Sequence, residues 1–272
     1  MSGAPPTPQD PGDRPGRGMR GWVQRNVPFG PAPKRVFIAC FPKSGSTYLY
    51  YALKEITGFR GLHAVETYGH NEQNLSERLI VAGRKDSISQ HHSKAGRDNL
   101  RIMRAHGIRP VIMLRNLFDV VPSLHDHIER LPIQPFGYVH AEYAQMDKQA
   151  RLTFIIRNFL PWYLQFLMSW REARRDIATH WLTYERLFAD QQAALVEVLR
   201  FYELPFDEEL VARGLARATE RRGGKARFNK GVAGRGLQEL TPAQIDMVRE
   251  LAATWRVDCP ELGLVGLTSL QG

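Results

Sequence analysis

Residues 35–59 read RVFIACFPKSGSTYLYYALKEITGF. An apolar run, Val36 to Cys40, meets the polar loop Pro42-Lys43-Ser44-Gly45-Ser46-Thr47, and an aromatic-rich helical pattern follows at once. Strand, tight loop and helix in this order build an anion cradle, because the first backbone N–H groups of a helix have no intrahelical acceptor and carry the positive end of the helix dipole. Gly45 lets the backbone come close to a ligand. Ser44, Ser46 and Thr47 add hydroxyl donors, and Lys43 adds a full charge. The loop therefore reads as a phosphate site. A nucleoside-triphosphate loop, GxxxxGK[ST], places its Lys after the last Gly. Here Lys43 precedes Gly45 by two residues and no Gly lies between Arg35 and Lys43, so that pattern fails.

A second stretch, PVIMLRNLFDVVPSL at 110–124, has a short buried-strand run, Val111 to Leu114, closed by Arg115, with Asp119 and Ser123 following at helical spacing. Arg offers a planar fork to two phosphate oxygens, and Ser123 a hydroxyl two turns further on. The competing reading pairs Arg115 with Asp119 and leaves Ser123 on a helix surface.

The order Pro-Lys-Ser-Gly-Ser-Thr-aromatic, ending at Tyr48, resembles the 5′-phosphosulfate loop of the sulfotransferases that use 3′-phosphoadenosine 5′-phosphosulfate (PAPS). Arg115 and Ser123 match that family's Arg and its Ser eight residues on, which bind the cofactor's 3′-phosphate. RFNKGVAGRG at 227–236 is similar to the family's late Gly-rich loop. Lys230, Gly231 and Gly234 match it. Asn229 stands for the usual Arg, and Arg235-Gly236 for Asp-Trp, leaving Arg235 as the candidate for the missing guanidinium. From Arg213 to Arg235 there are eight Lys/Arg and one acid, Glu220, which reads as a flexible basic lid over a polyanion. WLTYERL at 181–187 looks like the family's strand ending in Tyr-Glu-x-Leu, which puts Tyr184 near the adenine. The matches fall in family order from Arg35 to about Gly236.

The resemblance implies transfer of a sulfuryl group from PAPS to a hydroxyl or amine of a small-molecule, lipid or carbohydrate acceptor, leaving 3′,5′-adenosine bisphosphate (PAP), with no metal. Lys43 is then the residue that meets charge on the leaving oxygen. The family's Lys-x-His at a strand end aligns with Gln90-His91-His92, so His92 is the first candidate for the general base and His91 the second. Neighbours on a strand face opposite ways, so one of the two faces the cleft. His127 is a candidate for acceptor contact, and Glu66 a distant alternative base.

Two other function classes stay open: a P-loop kinase using ATP and Mg²⁺, and a non-catalytic basic binding protein on the same fold. The chain's 272 residues, 43% of them hydrophobic, suffice for one large α/β domain. No apolar run is long enough to span a membrane and the N-terminus has no secretory apolar segment. Cys40 and Cys259 form no framework of bridges, and the expectation is a cytoplasmic protein. The net charge of +9 favours anionic ligands, while no zinc-ligand spacing or RNA-recognition motif points to nucleic acid.

Residues 1–33, rich in Pro, Gly and Arg, read as a disordered segment before one domain at 34–272. Strands are expected at Val36–Phe41, Ser87–His91, Val111–Leu114 and Ala178–Thr183. Helices are expected at Thr47–Thr57, Glu72–Val81, Asp98–His106, Leu117–Arg130, Glu142–Arg174, Arg186–Tyr202 and Pro242–Thr254. This alternation argues for a central parallel sheet flanked by helices, and the resemblance for the P-loop-like sulfotransferase fold. Pro161 is expected to kink or split its helix. The aromatics Tyr138, Tyr143, Phe154, Phe159, Trp162, Tyr163, Phe166 and Trp170 read as core, with an exposed Trp162, Tyr163 and Phe166 as the signature of a membrane-bound acceptor.

Overall fold

A computed structural model describes residues 32–66, 73–130, 139–223 and 234–264. The N-terminal segment, Glu72, Asn229, Lys230 and Gly231 lie outside the described residues, and the helix expected from Glu72 begins only at Glu77, where the extended Ser76 caps it by accepting from the Leu79 N–H. Five parallel strands form one sheet in the order β2-β3-β1-β4-β5: β1 (Arg35–Cys40), β2 (Arg60–Gly61), β3 (Ser87–His91), β4 (Pro110–Leu114) and β5 (His180–Thr183). The four longer strands coincide with the expected ones to within two residues, and the short edge strand β2 is an addition.

The sheet is covered on both sides, which is why its central strands read as unbroken apolar runs. Phe37, Ala39, Ile112 and Leu114 face one core with α4 (Leu117–Arg130), α5 (Lys148–Ala173) and α10 (Pro242–Thr254). Val36, Ile38, Cys40, Val111 and Met113 face the other with α1 (Ser46–Thr57), α7 (Gln191–Phe201) and α8 (Glu208–Gly223). Alternate residues of β1 thus serve opposite cores, as the period of two requires.

Three expected elements change. The helix expected at 186–202 is two, α6 (Tyr184–Ala189) and α7, because Asp190 takes an extended backbone and accepts a hydrogen bond from the Ala193 N–H, starting a new helix. A 3₁₀ turn at Ala141–Gln145 precedes α5, which begins where Asp147 caps Ala150. Pro161 does not split α5, which runs unbroken for 26 residues. An interior Pro costs about 3 kcal/mol, and here that cost is outweighed by the burial of an entire aromatic and aliphatic face, Phe159, Tyr163, Phe166 and Trp170 among it. Trp162, Tyr163 and Phe166 are therefore core and offer no exposed surface for a membrane.

The first half of the expected basic lid is helix α8, capped by Asp207 and laid against α1. Its Arg213 pairs with Glu209 at 3.2 Å and Arg217 reaches Glu55 at 3.9 Å. Gly214 makes the close approach possible. A Cβ there would lie 2.4 Å from Ile56 Cγ1 and 3.2 Å from the Ala52 carbonyl oxygen. Gly214→Ala is expected to cost about 1–3 kcal/mol of stability by overpacking, despite the better helix propensity of Ala. Urea denaturation checks this; an unchanged midpoint would mean that α8 can slide on α1.

Candidate active site

The chain returns to the carboxyl ends of four adjacent strands, and each end delivers a polar residue to one place. The order of β3, β1, β4 and β5 in the sheet makes β1 the switch point, where open parallel sheets hold ligands. The loop after β1 is sharply formed. Lys43 and Gly45 both have positive φ, 68° and 82°. For Lys this backbone costs about 1–2 kcal/mol, so the loop needs outside support. Tyr163 of α5 donates to the Pro42 carbonyl at 3.2 Å, Ser44 Oγ to the Phe41 carbonyl at 2.7 Å, and Arg115 Nη1 to the Lys43 carbonyl at 3.1 Å.

With Gly45 as N-cap, α1 starts at Ser46. Among the described residues the backbone N–H groups of Gly45, Ser46 and Thr47 find no acceptor, whereas those of Tyr48 and Leu49 turn back to the Gly45 carbonyl. These three donors and the half-buried Lys43 define the cradle.

Arg115 is buried at the end of β4. Its Nη1 also donates to Ser123 Oγ at 3.3 Å, and its guanidinium lies 4.1 Å above the Tyr184 ring. Arg115 and Ser123 are thus brought together, and Arg115 also touches the loop. The alternative of an Arg115–Asp119 pair gives way to a different arrangement. Asp119 uses both oxygens on the backbone N–H groups of Gly234 and Gly236, at 2.8 and 2.7 Å, and so fastens the end of the late Gly-rich segment to α4. Gly236 fits because its Cα rests on the backbone of Phe118, where a Cβ would fall 2.2 Å from the carbonyl. Next to Arg115, Glu185 accepts from the Asn116 N–H at 3.1 Å, and burial raises its carboxyl above the usual range. A carboxylate whose charge is penalised compensates the local cations less, which favours an added anion.

The strand end of β3 divides its residues by face. Gln90 Nε2 donates to Ser46 Oγ at 2.8 Å, across the loop. His92, two residues on, sits with it. His92 Nδ1 lies 2.9 Å from the Cys40 carbonyl, which can only accept, so Nδ1 carries the proton and Nε2 keeps its lone pair. Burial, and secondarily the nearby Lys43 charge, lower the His92 pKa, with the Cys40 hydrogen bond opposing them. His91 faces away into the core beside Phe37 and His63. Its Nε2 accepts from the Ala64 N–H at 3.2 Å, and burial drives its pKa down to about 3. The Nε2 lone pair of His91 is thus used within the fold. A buried brace holds the segment after His92. Gln73 Oε1 accepts from the His92 N–H at 2.6 Å, and Asn99 ties the Gln73 and Lys94 carbonyls to the Leu75 N–H.

Several expected contacts differ. Tyr48 is buried and its hydroxyl joins Gln191 and Thr219, so it anchors α1 rather than lining the cradle. Tyr184 packs under Gly45 and on Arg115 instead of presenting its face outward. Ser44 spends its hydroxyl on Phe41. Arg235 is committed to two carboxylates, Asp126 at 2.7 Å and Glu239, and so holds the late segment rather than standing ready for a phosphate. Glu66 is exposed and its carboxyl is held below the usual range by Ser76 and Arg78, which makes it a poor base. His127 is half-buried on α4. Asn99 and Tyr163 carry no motif of their own, and Asp119 and Glu185 lie inside quoted segments that do not show their partners, so only position in the fold reveals the part each plays.

Residues 33–252 match the family described as the sulfotransferase domain. A mouse protein, sulfotransferase 1 family member D1, is 21% identical over 196 residues, covering 67% of this chain and 63% of the mouse protein, so the chain spans less than two thirds of that relative. Among solved structures, a mouse sulfotransferase complexed with PAP superposes with a TM-score of 0.60 at 17% identity, covering 81% of this chain and 84% of that one. A retinol dehydratase in complex with androsterone and inactive cofactor PAP gives 0.58 at 15% identity, covering 84% and 82%. At such identities the likeness establishes the fold, the P-loop-like fold of the sulfotransferases. The family match covers most of the sequence, and the chain belongs to the sulfotransferase domain family.

Gly45→Ala is expected to lose about 2 kcal/mol or more, since it combines a left-handed backbone with a Cβ only 2.9 Å from Tyr184 Cδ2. Adding Tyr184→Ala should recover the contact part and leave the backbone part. Strict additivity of the two in denaturation would show that the ring does not press on the loop.

Proposed function

We propose that this chain transfers a sulfuryl group from PAPS to an acceptor hydroxyl or amine, with Lys43 and His92 as the catalytic residues. The observation that carries the reading is the joint placement of the Lys43–Thr47 cradle, the Arg115–Ser123 pair and the His92 lone pair at the ends of three adjacent strands. Family membership supports the reaction class. PAP in the mouse sulfotransferase and in the retinol dehydratase supports the nucleotide.

The residues fit a bisphosphate nucleotide. The free N–H groups of Gly45, Ser46 and Thr47, and the lack of room for a Cβ at Gly45, suit a tetrahedral anion held against the backbone. Arg115 and Ser123 form a second, buried donor pair suited to the 3′-phosphate. When bound, PAPS supplies an activated sulfuryl group whose departure leaves negative charge on a phosphate oxygen. The Lys43 ammonium stabilises that charge. His92 Nε2 takes the proton of the acceptor hydroxyl, and the Cys40 carbonyl steadies the imidazolium through Nδ1. Arg115 acts twice, as an anion ligand and as the brace of the strained Lys43 carbonyl. Acceptors of the small apolar alcohol class are the first to test, since the retinol dehydratase structures contain androsterone or retinol.

Lys43→Ala is expected to lower kcat about a hundredfold to a thousandfold, and Arg115→Ala to weaken PAP about tenfold to a hundredfold, with the assays being steady-state turnover and equilibrium binding. Near-normal PAP affinity in Arg115→Ala would remove the 3′-phosphate assignment. The pH dependence follows from the sign of the His92 shift. The neutral imidazole is the active form, and its pKa lies below 6.5. The value of kcat/KM should therefore be flat through neutrality and fall only below that pH, with the acid limb abolished in His92→Ala along with most of the rate. An acid limb above that value would point to a different base.

A further inference from the structure

We propose that Gln90 is a positioning residue for the phosphosulfate cradle, setting the Ser46 hydroxyl as a donor to the bound oxyanion. The proposal rests on the PAPS reading above. A hydroxyl has one hydrogen and two lone pairs. The side-chain amide of Gln90 donates to Ser46 Oγ at 2.8 Å, so one lone pair is filled by a donor and the Ser46 hydrogen is left to point elsewhere. The neighbouring Ser44 contrasts with it, because its hydrogen is already given to the Phe41 carbonyl. Another polar atom beside Ser46 is the Cys40 thiol, a weak acceptor that competes poorly with an oxyanion and that lies 3.3 Å from His92 Nδ1 and 3.6 Å from the His91 carbonyl. Ser46 sits at the first turn of α1, where its own N–H and that of Thr47 lack acceptors among the described residues. The hydroxyl hydrogen and these N–H groups then converge on one anion.

Gln90 does this without adding charge. It shares the strand face of His92, whose charged form Lys43 already disfavours. A neutral amide organises the cradle, while Lys43 supplies charge to it.

The test is calorimetric binding of PAP to the full chain and to Gln90→Met, Gln90→Glu, Ser46→Ala and the double variant Gln90→Met/Ser46→Ala, with thermal unfolding of each. Gln90→Met and Ser46→Ala should each weaken PAP about threefold to tenfold, the size of one hydrogen bond. The double variant should be no weaker than Ser46→Ala, because Gln90 acts through that hydroxyl. Gln90→Glu, which keeps the shape but draws the Ser46 hydrogen onto itself, should be weaker than Gln90→Met. Losses that multiply in the double variant, or lowered thermal stability with unchanged affinity in Gln90→Met, would overturn the proposal. Failure of the unsubstituted chain to bind PAP would instead overturn the nucleotide reading, and this role with it.

Discussion

The carbonyl of Lys43 is the point on which the site depends. Two left-handed residues, Lys43 and Gly45, within three positions form a turn that an isolated chain would not hold. Arg115, Tyr163 and Ser44 hold it through three carbonyls in a row, those of Lys43, Pro42 and Phe41. The supports come from β4, from the middle of α5 and from the loop itself, so the cradle forms only when sheet and helix α5 are packed together. Strain of this kind orients the first N–H groups of α1 outward before any ligand arrives, which lowers the reorganisation needed on binding.

Electrostatics follow from the same packing. Arg115 is buried beside Glu185, whose charge burial penalises, while Asp119 is spent on Gly234 and Gly236. A buried cation in such surroundings is stabilised by an added anion. The tie from Asp119 and the pairs of Arg235 with Asp126 and Glu239 fix the end of the late Gly-rich segment to the helix that carries Ser123. The strand-end histidines then divide by the pleat: His91 closes a core hydrogen bond, and His92 keeps a lone pair beside the loop.

Much of this was legible in the residues. The apolar runs at 36–40 and 111–114 are buried on both faces, and such strands leave a signal that does not depend on partners. Lys43, Arg115 and Ser123 could be named because each sits at a fixed offset from a strand end. Other parts could not. The break at Asp190 is a capping choice inside an otherwise helical pattern, and α8 is polar enough to resemble a loop until its Gly214 meets Ile56. Tyr48, Tyr184 and Arg235 carry the right chemistry, but tertiary partners claim their polar groups or faces. What sets the rings of His91 and His92 apart is the Ala64 and Cys40 hydrogen bonds, which join residues 27 and 52 positions apart.

The central claim is that this cradle holds a 3′,5′-bisphosphate nucleotide through protein donors alone. Calorimetry of PAP and of ATP, each with and without Mg²⁺, tests it most directly. The account predicts tight PAP binding that is indifferent to Mg²⁺, with ATP much weaker in both conditions. Preference for ATP that appears only with Mg²⁺ would contradict it and would return the loop to the kinases.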